Sequence, residues 1–122
     1  MFVRFCILTG GIIGALAVAM AAVAAHGLGE LAPSSLDAVR SAIQMQGWHA
    51  VALVAVAAWL PRGGIAARIA ALGFVAGTLL FGAAVYGHEL ADLPVAALAP
   101  VGGTTLIVSW VILAGSAFRP GA

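Results

Sequence analysis

The sequence predicts an all-α integral membrane protein, a bundle of four transmembrane helices whose N- and C-termini are both cytoplasmic. The chain has 122 residues, of which 64% are hydrophobic and 7% charged, whereas a soluble domain carries about 25% charged residues. It contains four long apolar runs, each near the ~20 residues that a helix needs to cross a ~30 Å hydrocarbon core. The few charged residues divide between the connections by sign. Lipid is therefore the expected solvent of most of this chain.

The apolar runs predict one transmembrane domain, residues 1–122, and its expected helices are residues 5–25, 35–60, 65–87 and 100–118. The first run also resembles a secretory signal sequence. The apolar part of such a signal is about 7–15 residues long, whereas this run continues for 21 residues. We therefore expect the first helix to be retained in the folded protein.

The boundaries of the second helix are marked by helix start and stop signals. Ser34, followed by Asp37 three residues later, is typical of a capped helix start. Pro61-Arg62-Gly63-Gly64 predicts that this helix ends in a tight turn. These signals separate the second predicted helix from its neighbours.

The charged residues predict how the helices are oriented. All four acidic residues lie in or beside the first and third connections, and four of the five arginines lie near the N-terminus, in or beside the second connection or at the C-terminus: Arg4, Arg62, Arg68 and Arg119. Arginine and lysine accumulate in short cytoplasmic loops. The exception, Arg40, lies three residues after Asp37 and could pair with it on a helix. Both termini and the second connection are therefore expected on the cytoplasmic side.

Small residues recur on three of the predicted helices, where they would allow close packing in lipid. The helix-packing positions are Gly10 and Gly14 on the first helix, the G-x-x-x-G pair Gly73 and Gly77 on the third, and Gly102 and Gly103 on the fourth. Two uses fit such faces. They could close a tight bundle of one chain, or they could leave a face for a second copy or a larger partner.

Polar residues within the apolar runs form the candidate site. Gln46 and His49 share a face in the outer half of the second helix, while His26 and His88 lie at the outer ends of the first and third helices. The first interpretation is hydrogen bonding between helices. The second is a metal or haem site, because imidazole is a common ligand, although no H-x-x-x-H spacing defines a pair. The third is a path for protons or small solutes. Trp110, midway along the fourth helix, needs an acceptor for its indole N–H, and a Ser or Thr hydroxyl on a neighbouring helix could serve.

Several short motifs, in order, resemble one known family. They are Ala25-His26-Gly27-Leu28, Gln44-Met45-Gln46-Gly47-Trp48-His49-Ala50, Gly77 to Phe81 with Tyr86, and Pro100-Val101-Gly102-Gly103 with Trp110. Together they are similar to the domain-of-unknown-function family 423, small four-helix inner-membrane proteins of bacteria. The resemblance implies a four-pass fold in the bacterial inner membrane and no known reaction. It draws attention to His26, Gln46, His49, Pro100, Gly102 and Gly103 as motif positions.

Composition excludes or disfavours several functions. A net charge of +1 and isolated arginines do not indicate a nucleic-acid partner. The single cysteine, Cys6, excludes an internal disulfide and a multi-cysteine metal site. No nucleophile and base fall into a catalytic pattern, so no enzymatic activity is expected.

We expect a structural or accessory subunit that contacts the lipid bilayer and packs against a larger membrane complex or copies of itself. The alternative is a protein that handles a cofactor, metal or small solute through the outer histidines, with no cofactor preferred.

Overall fold

A computed structural model describes residues 1–118 as three long α-helices followed by a short 3-10 turn, and this part of the chain contains no β-strand. Helix α1 is Phe2–His26, α2 is Pro33–Ala91 and α3 is Leu98–Gly115; the 3-10 turn is Ser116–Phe118. Each helix, α3 together with its turn, is long and apolar enough to cross a membrane. The all-helical prediction is confirmed. Arg119, one of the four arginines expected on the cytoplasmic side, lies outside the described residues.

The second and third predicted helices, residues 35–60 and 65–87, form a single helical element of 59 residues. The structure therefore has three long helices where the sequence predicted four. The predicted break is reduced to one non-helical residue, Gly64, with φ 55° and ψ −136°. Glycine accepts this backbone conformation because it has no Cβ. Helical geometry thus continues through Pro61 up to the bend instead of ending in a loop.

Helix α2 folds back on itself at Gly64. The side chains of Gln46 and Tyr86 are hydrogen-bonded, although a straight helix would separate residues 40 positions apart by about 60 Å at 1.5 Å per residue. The two halves are therefore antiparallel. We call residues 33–63 the first arm and residues 65–91 the second arm.

The start of α2 differs from the predicted capping. The helix begins at Pro33 after Ala32, and no side chain caps it, so the expected cap by Ser34 is wrong. Proline suits the first helical position because its φ is already helical and its missing N–H would be unpaired there. Asp37 instead pairs with Arg40 at 3.5 Å, both side chains being exposed.

Helices α1 and α3 both pack on α2 and do not contact each other. Gly10 of α1 lies beside Leu53 of the first arm, and Gly77 of the second arm lies beside Leu106 of α3. The core lies between these segments, and its largest fully buried side chains include Phe74, Leu53, Val39, Val56 and Cys6. The two arms of α2 thus form the centre of the packing.

The reversals of direction place charges of opposite sign at opposite ends of the molecule. The start of α1 lies near the bend, since Phe2 contacts Arg68, and the end of α3 lies there too, since Trp59 bonds to Ser116. We call this the basic end; Arg4, Arg62 and Arg68 are exposed there. The connections formed by residues 27–32 and 92–97 lie at the other end, the acidic end, with Glu30, Asp37, Glu89 and Asp92 in or near them.

Candidate functional site

His49 is the most buried polar side chain of the predicted site, with 3% of its surface exposed. Its Nδ1 lies 2.7 Å from the carbonyl oxygen of Met45, and the indole N–H of Trp110 donates to its Nε2 at 3.1 Å. An indole nitrogen can only donate. The hydrogen-bond pattern therefore assigns the proton to Nδ1, which donates to Met45, and makes Nε2 an acceptor. Both imidazole nitrogens already have partners within the protein.

Phe74 completes an aromatic cluster with His49 and Trp110. The Phe74 ring centroid lies 5.4 Å from that of His49 and 4.8 Å from that of Trp110, within the range of favourable ring contacts. The three rings come from the first arm, the second arm and α3. This cluster therefore joins three segments of the chain at one point.

The acceptor of Trp110 is not the hydroxyl that the sequence suggested, and that prediction is wrong. Two hydroxyls of α3, the helix that carries Trp110, are bonded to that same helix: Thr105 donates to the carbonyl of Val101 at 2.8 Å and Ser109 to that of Thr105 at 2.7 Å. Ser and Thr in helices often bond in this way to the preceding turn. The Nε2 of His49, which has a lone pair, accepts from the Trp110 indole instead.

Gln46 bonds to a residue that sequence reasoning did not assign to the site. The hydroxyl of Tyr86, on the second arm, donates to the Oε1 of Gln46. Gln46 lies 18 residues before the bend at Gly64 and Tyr86 lies 22 residues after it. The two positions differ by about one helical turn, which long side chains can span. A hairpin centred on Gly64 was therefore the signal that could have identified Tyr86, and Phe74 by the same reasoning.

The other two predicted site residues lie apart from this buried group. His26, in the last turn of α1, is exposed and has no hydrogen-bond partner among residues 1–118. His88 is exposed, and its Nδ1 lies 3.3 Å from the carbonyl oxygen of Leu93. Within the described chain, no three His, Cys, Asp or Glu side chains come close enough to hold a metal ion. The four predicted residues are thus not brought together as one ligand set.

The predicted packing glycines lie at the contacts between segments, and they differ in how much room a Cβ atom would have there. A Cβ at Gly10 would lie 2.9 Å from the Ala50 carbonyl oxygen, and one at Gly102 would lie 2.6 Å from the Phe81 nitrogen. At Gly77 it would meet Leu106 at 2.7 Å, and at Gly73 it would collide with the Ser109 hydroxyl. Gly14 and Gly103 are less crowded, with nearest atoms at 3.5 and 4.0 Å. Four of the six positions therefore touch a neighbouring segment so closely that a methyl group would not fit.

An apolar groove runs along the surface between the first arm and α3. It consists of three adjoining pockets of about 260, 540 and 300 Å³ that share lining residues. We call it the tryptophan groove; its lining includes Met45, Trp48, Ala52 and Trp59 of the first arm and Ile107, Trp110 and Leu113 of α3. Trp48 and Trp110 are 56% and 46% exposed. The groove passes directly over the buried His49.

Known proteins resemble this chain along most of its length. Residues 20–103 match the family described as "Protein of unknown function (DUF423)". The chain is 32% identical over 108 residues to a UPF0382 membrane protein of Haemophilus influenzae, covering 87% of each chain. It is 28% identical over 117 residues to the UPF0382 membrane protein YwdK of Bacillus subtilis, covering 93% of this chain and 95% of that one. No solved structure matches it.

Both relatives are named as membrane proteins, which agrees with the three helices of this chain that are apolar enough to cross a membrane. The resemblance that the sequence motifs suggested is confirmed, and its relatives are named as membrane proteins of bacteria. The chain therefore belongs to the DUF423 family, the uncharacterised UPF0382 membrane proteins.

Proposed function

We propose that this protein is a four-pass protein of the bacterial inner membrane that serves as a structural or accessory subunit of a larger membrane assembly. In this proposal α1, the two arms of α2, and α3 are the four membrane-spanning segments. The basic end faces the cytoplasm. The protein contributes packing surface to its assembly and catalyses no reaction itself.

The topology is supported by the fold-back of α2 and by the separation of charge. Each arm of α2 is longer than the ~20 residues that a helix needs to cross a hydrocarbon core, so each can span it with its ends projecting. Arg4, Arg62 and Arg68 lie at one end and all four carboxylates at the other, as the positive-inside rule expects of short loops. Arg40, at the acidic end, is paired with Asp37.

The observation that carries the accessory role is the tryptophan groove. The small-residue contacts at Gly10, Gly77 and Gly102 are already used within the chain. The groove, by contrast, is open along about 21 Å from Met45 to Trp59, at 1.5 Å per residue. Half-exposed tryptophans beside a cleft are the side chains that dominate protein contacts. A transmembrane helix of a partner could place its side chains in this cleft.

The internal polar groups favour a packing role over ligand handling. His49 has both ring nitrogens bonded, and Gln46 is bonded to Tyr86. A metal or solute at His49 would first have to break the bond to Trp110. Such bonds between membrane helices are worth about 0.6 kcal/mol on average, a modest structural contribution that suits a scaffold.

The topology can be tested with single cysteines placed in a Cys6→Ala background. Gly29→Cys and Ala96→Cys lie at the acidic end, and Ile65→Cys lies beside the bend; all three positions are exposed. In intact spheroplasts, a membrane-impermeant maleimide should label the first two and should label Ile65→Cys only after lysis. Labelling of Ile65→Cys in intact spheroplasts would contradict the proposed orientation.

The accessory role can be tested by site-specific photo-crosslinking in cells at natural expression level. A photoreactive residue at Val51 or Ile107, both lining the groove, should give a crosslink to the same larger membrane protein. The matched control is Val18 on α1, which is as exposed as Val51, at 72% against 71%, and should give none. Native mass spectrometry should then find both proteins in one complex with a defined stoichiometry. Equal crosslinking from Val18, or this chain recovered alone, would argue against the accessory role.

A further inference from the structure

A second pocket lies at the basic end, between the start of α1 and the second arm. Its volume is about 420 Å³, and it is lined by Met1, Phe2, Phe5, Arg68 and Leu72. Arg68 lies four residues after the bend at Gly64, so it is about 6 Å along the second arm at 1.5 Å per residue. This depth corresponds to the headgroup region if α2 spans the hydrocarbon core. The pocket is separate from the tryptophan groove and shares no residue with it.

The pocket carries a positive charge that no acidic side chain neutralises. The Arg68 guanidinium carbon lies 5.8 Å from the centre of the Phe2 ring, a cation–π distance. The ion pair found in residues 1–118 is Arg40 with Asp37, at the opposite end. Arg4 and Arg62 are exposed at the same end as Arg68. An anion that reaches this pocket therefore meets the Arg68 guanidinium directly, at the end of the molecule that also carries Arg4 and Arg62.

The remaining walls of the pocket are apolar and continue towards the centre of the membrane. Phe5 lies nearly one turn further along α1 than Phe2, and Leu72 lies about one turn beyond Arg68 on the second arm. Leu72 is 50% exposed, so its side chain is open to a lipid chain running alongside. A charged rim above an apolar wall matches a molecule with an anionic head and a hydrocarbon tail. A water-soluble anion would make no use of Phe5 or Leu72.

We propose that this pocket binds one anionic phospholipid, whose phosphate is held by the Arg68 guanidinium and whose acyl chain lies along Phe5 and Leu72. Guanidinium binds phosphate through two parallel hydrogen bonds, and stacking on Phe2 holds the guanidinium in place for this contact. Basic pockets between transmembrane helices are known to bind anionic headgroups in this way. This proposal does not depend on the accessory role proposed above, because it concerns a different surface.

The experiment is native mass spectrometry of the full chain released from nanodiscs that contain phosphatidylglycerol and phosphatidylethanolamine in equal amounts. The wild type should retain one phosphatidylglycerol in preference to phosphatidylethanolamine. Arg68→Gln should reduce this retention about fivefold, the effect of one cation near a membrane surface. Arg68→Lys, which keeps the charge, should retain more lipid than Arg68→Gln. Arg40→Gln, which removes an arginine at the acidic end, is the matched control and should leave retention unchanged.

Three results would overturn the proposal. The first is equal loss of lipid in Arg68→Gln and Arg40→Gln, which would indicate a general effect of charge. The second is displacement of the lipid by excess inorganic phosphate, which would indicate a site for free anions. The third is equal retention of the two lipids by the wild type; this result decides the question even if Arg68→Gln does not fold.

Discussion

The indole N–H of Trp110 donates to the Nε2 of His49, and this bond joins residues 61 positions apart in the sequence. It connects α3 to the first arm of α2 over the ring of Phe74, which comes from the second arm. The Met45 carbonyl holds the other imidazole nitrogen and so directs the lone pair of Nε2 towards Trp110. His49 therefore acts as a fixed acceptor between segments.

We expect His49→Leu and Trp110→Phe to be coupled in their effects on the free energy of unfolding. Each change alone removes the same bond, so the double variant should lose less than the sum of the single losses. The coupling should be about 0.6 kcal/mol and no more than about 1.7 kcal/mol, measured by denaturation in detergent micelles. Trp59→Phe, which breaks a separate bond to Ser116, is the control. Its loss in the free energy of unfolding and that of His49→Leu should be additive. A coupling of zero for Trp110 would show that the bond contributes nothing.

Gly102→Ala should destabilise the protein by about 1–3 kcal/mol, as overpacking of a close contact generally does. The added Cβ would lie 2.6 Å from the nitrogen and 2.9 Å from the Cα of Phe81. Backbone atoms cannot rotate away as a side chain can, so α3 would have to move off the second arm. Gly103→Ala is the neighbouring control, because its nearest atom is a Phe81 ring carbon at 4.0 Å. Equal midpoints of thermal unfolding for the two variants would contradict the packing described for Gly102.

Tyr86→Phe should lower the free energy of unfolding by about 0.6 kcal/mol, the average for a hydrogen bond between membrane helices. The hydroxyl that it removes donates to Gln46 across the two arms of α2. Gln46→Leu added to Tyr86→Phe should cost little more, since the bond is already absent. Gln44→Leu changes an exposed position of the same arm. Its effect on the free energy of unfolding should be the same with and without the Tyr86 hydroxyl. The prediction fails if the stability losses caused by Gln44→Leu and by Gln46→Leu change by the same amount when Tyr86→Phe is added.

Gly64→Ala should cost about 1–3 kcal/mol, the strain of placing a side chain in a backbone region that glycine alone occupies easily. Gly64 has φ 55° and ψ −136° and is the bend between the two arms. Gly29→Ala is the matched control: Gly29 lies in a connection, and a Cβ there would meet nothing within 4 Å. Reversible unfolding of both variants in the same detergent would measure the difference. Similar stabilities would indicate that the bend tolerates an ordinary residue.

The positions of the helices could largely be predicted from the sequence. The predicted segment 5–25 lies within α1, Phe2–His26, and the segments 35–60 and 65–87 lie within α2, Pro33–Ala91. Hydrophobic runs are local, so a window of about 20 residues is enough to recognise them. The ends were less predictable. Pro100, expected to begin the last helix, lies in the first turn of α3 after Leu98, because proline is compatible with that turn.

The contacts of the site could be predicted only in part. Gln46 and His49 were identified because polar groups within apolar runs are costly and need partners. Their partners Tyr86 and Trp110 were not identified as such, since each lies at least 40 residues away. His26 and His88 have the same side chain as His49 but are exposed at helix ends. Burial, which distinguishes them, depends on how whole helices pack.

The sequence by itself determined the class of this protein, its family, its apolar segments and the alternation of charge along the chain. These properties follow from composition and short-range patterns, in which each residue contributes independently of distant ones. The tertiary structure alone decided that α2 bends at a single glycine, that α1 and α3 pack on α2 and not on each other, and that His49 accepts from Trp110. Those outcomes depend on the register between segments, which is set by close packing of residues far apart in sequence, such as Gly102 against the backbone of Phe81.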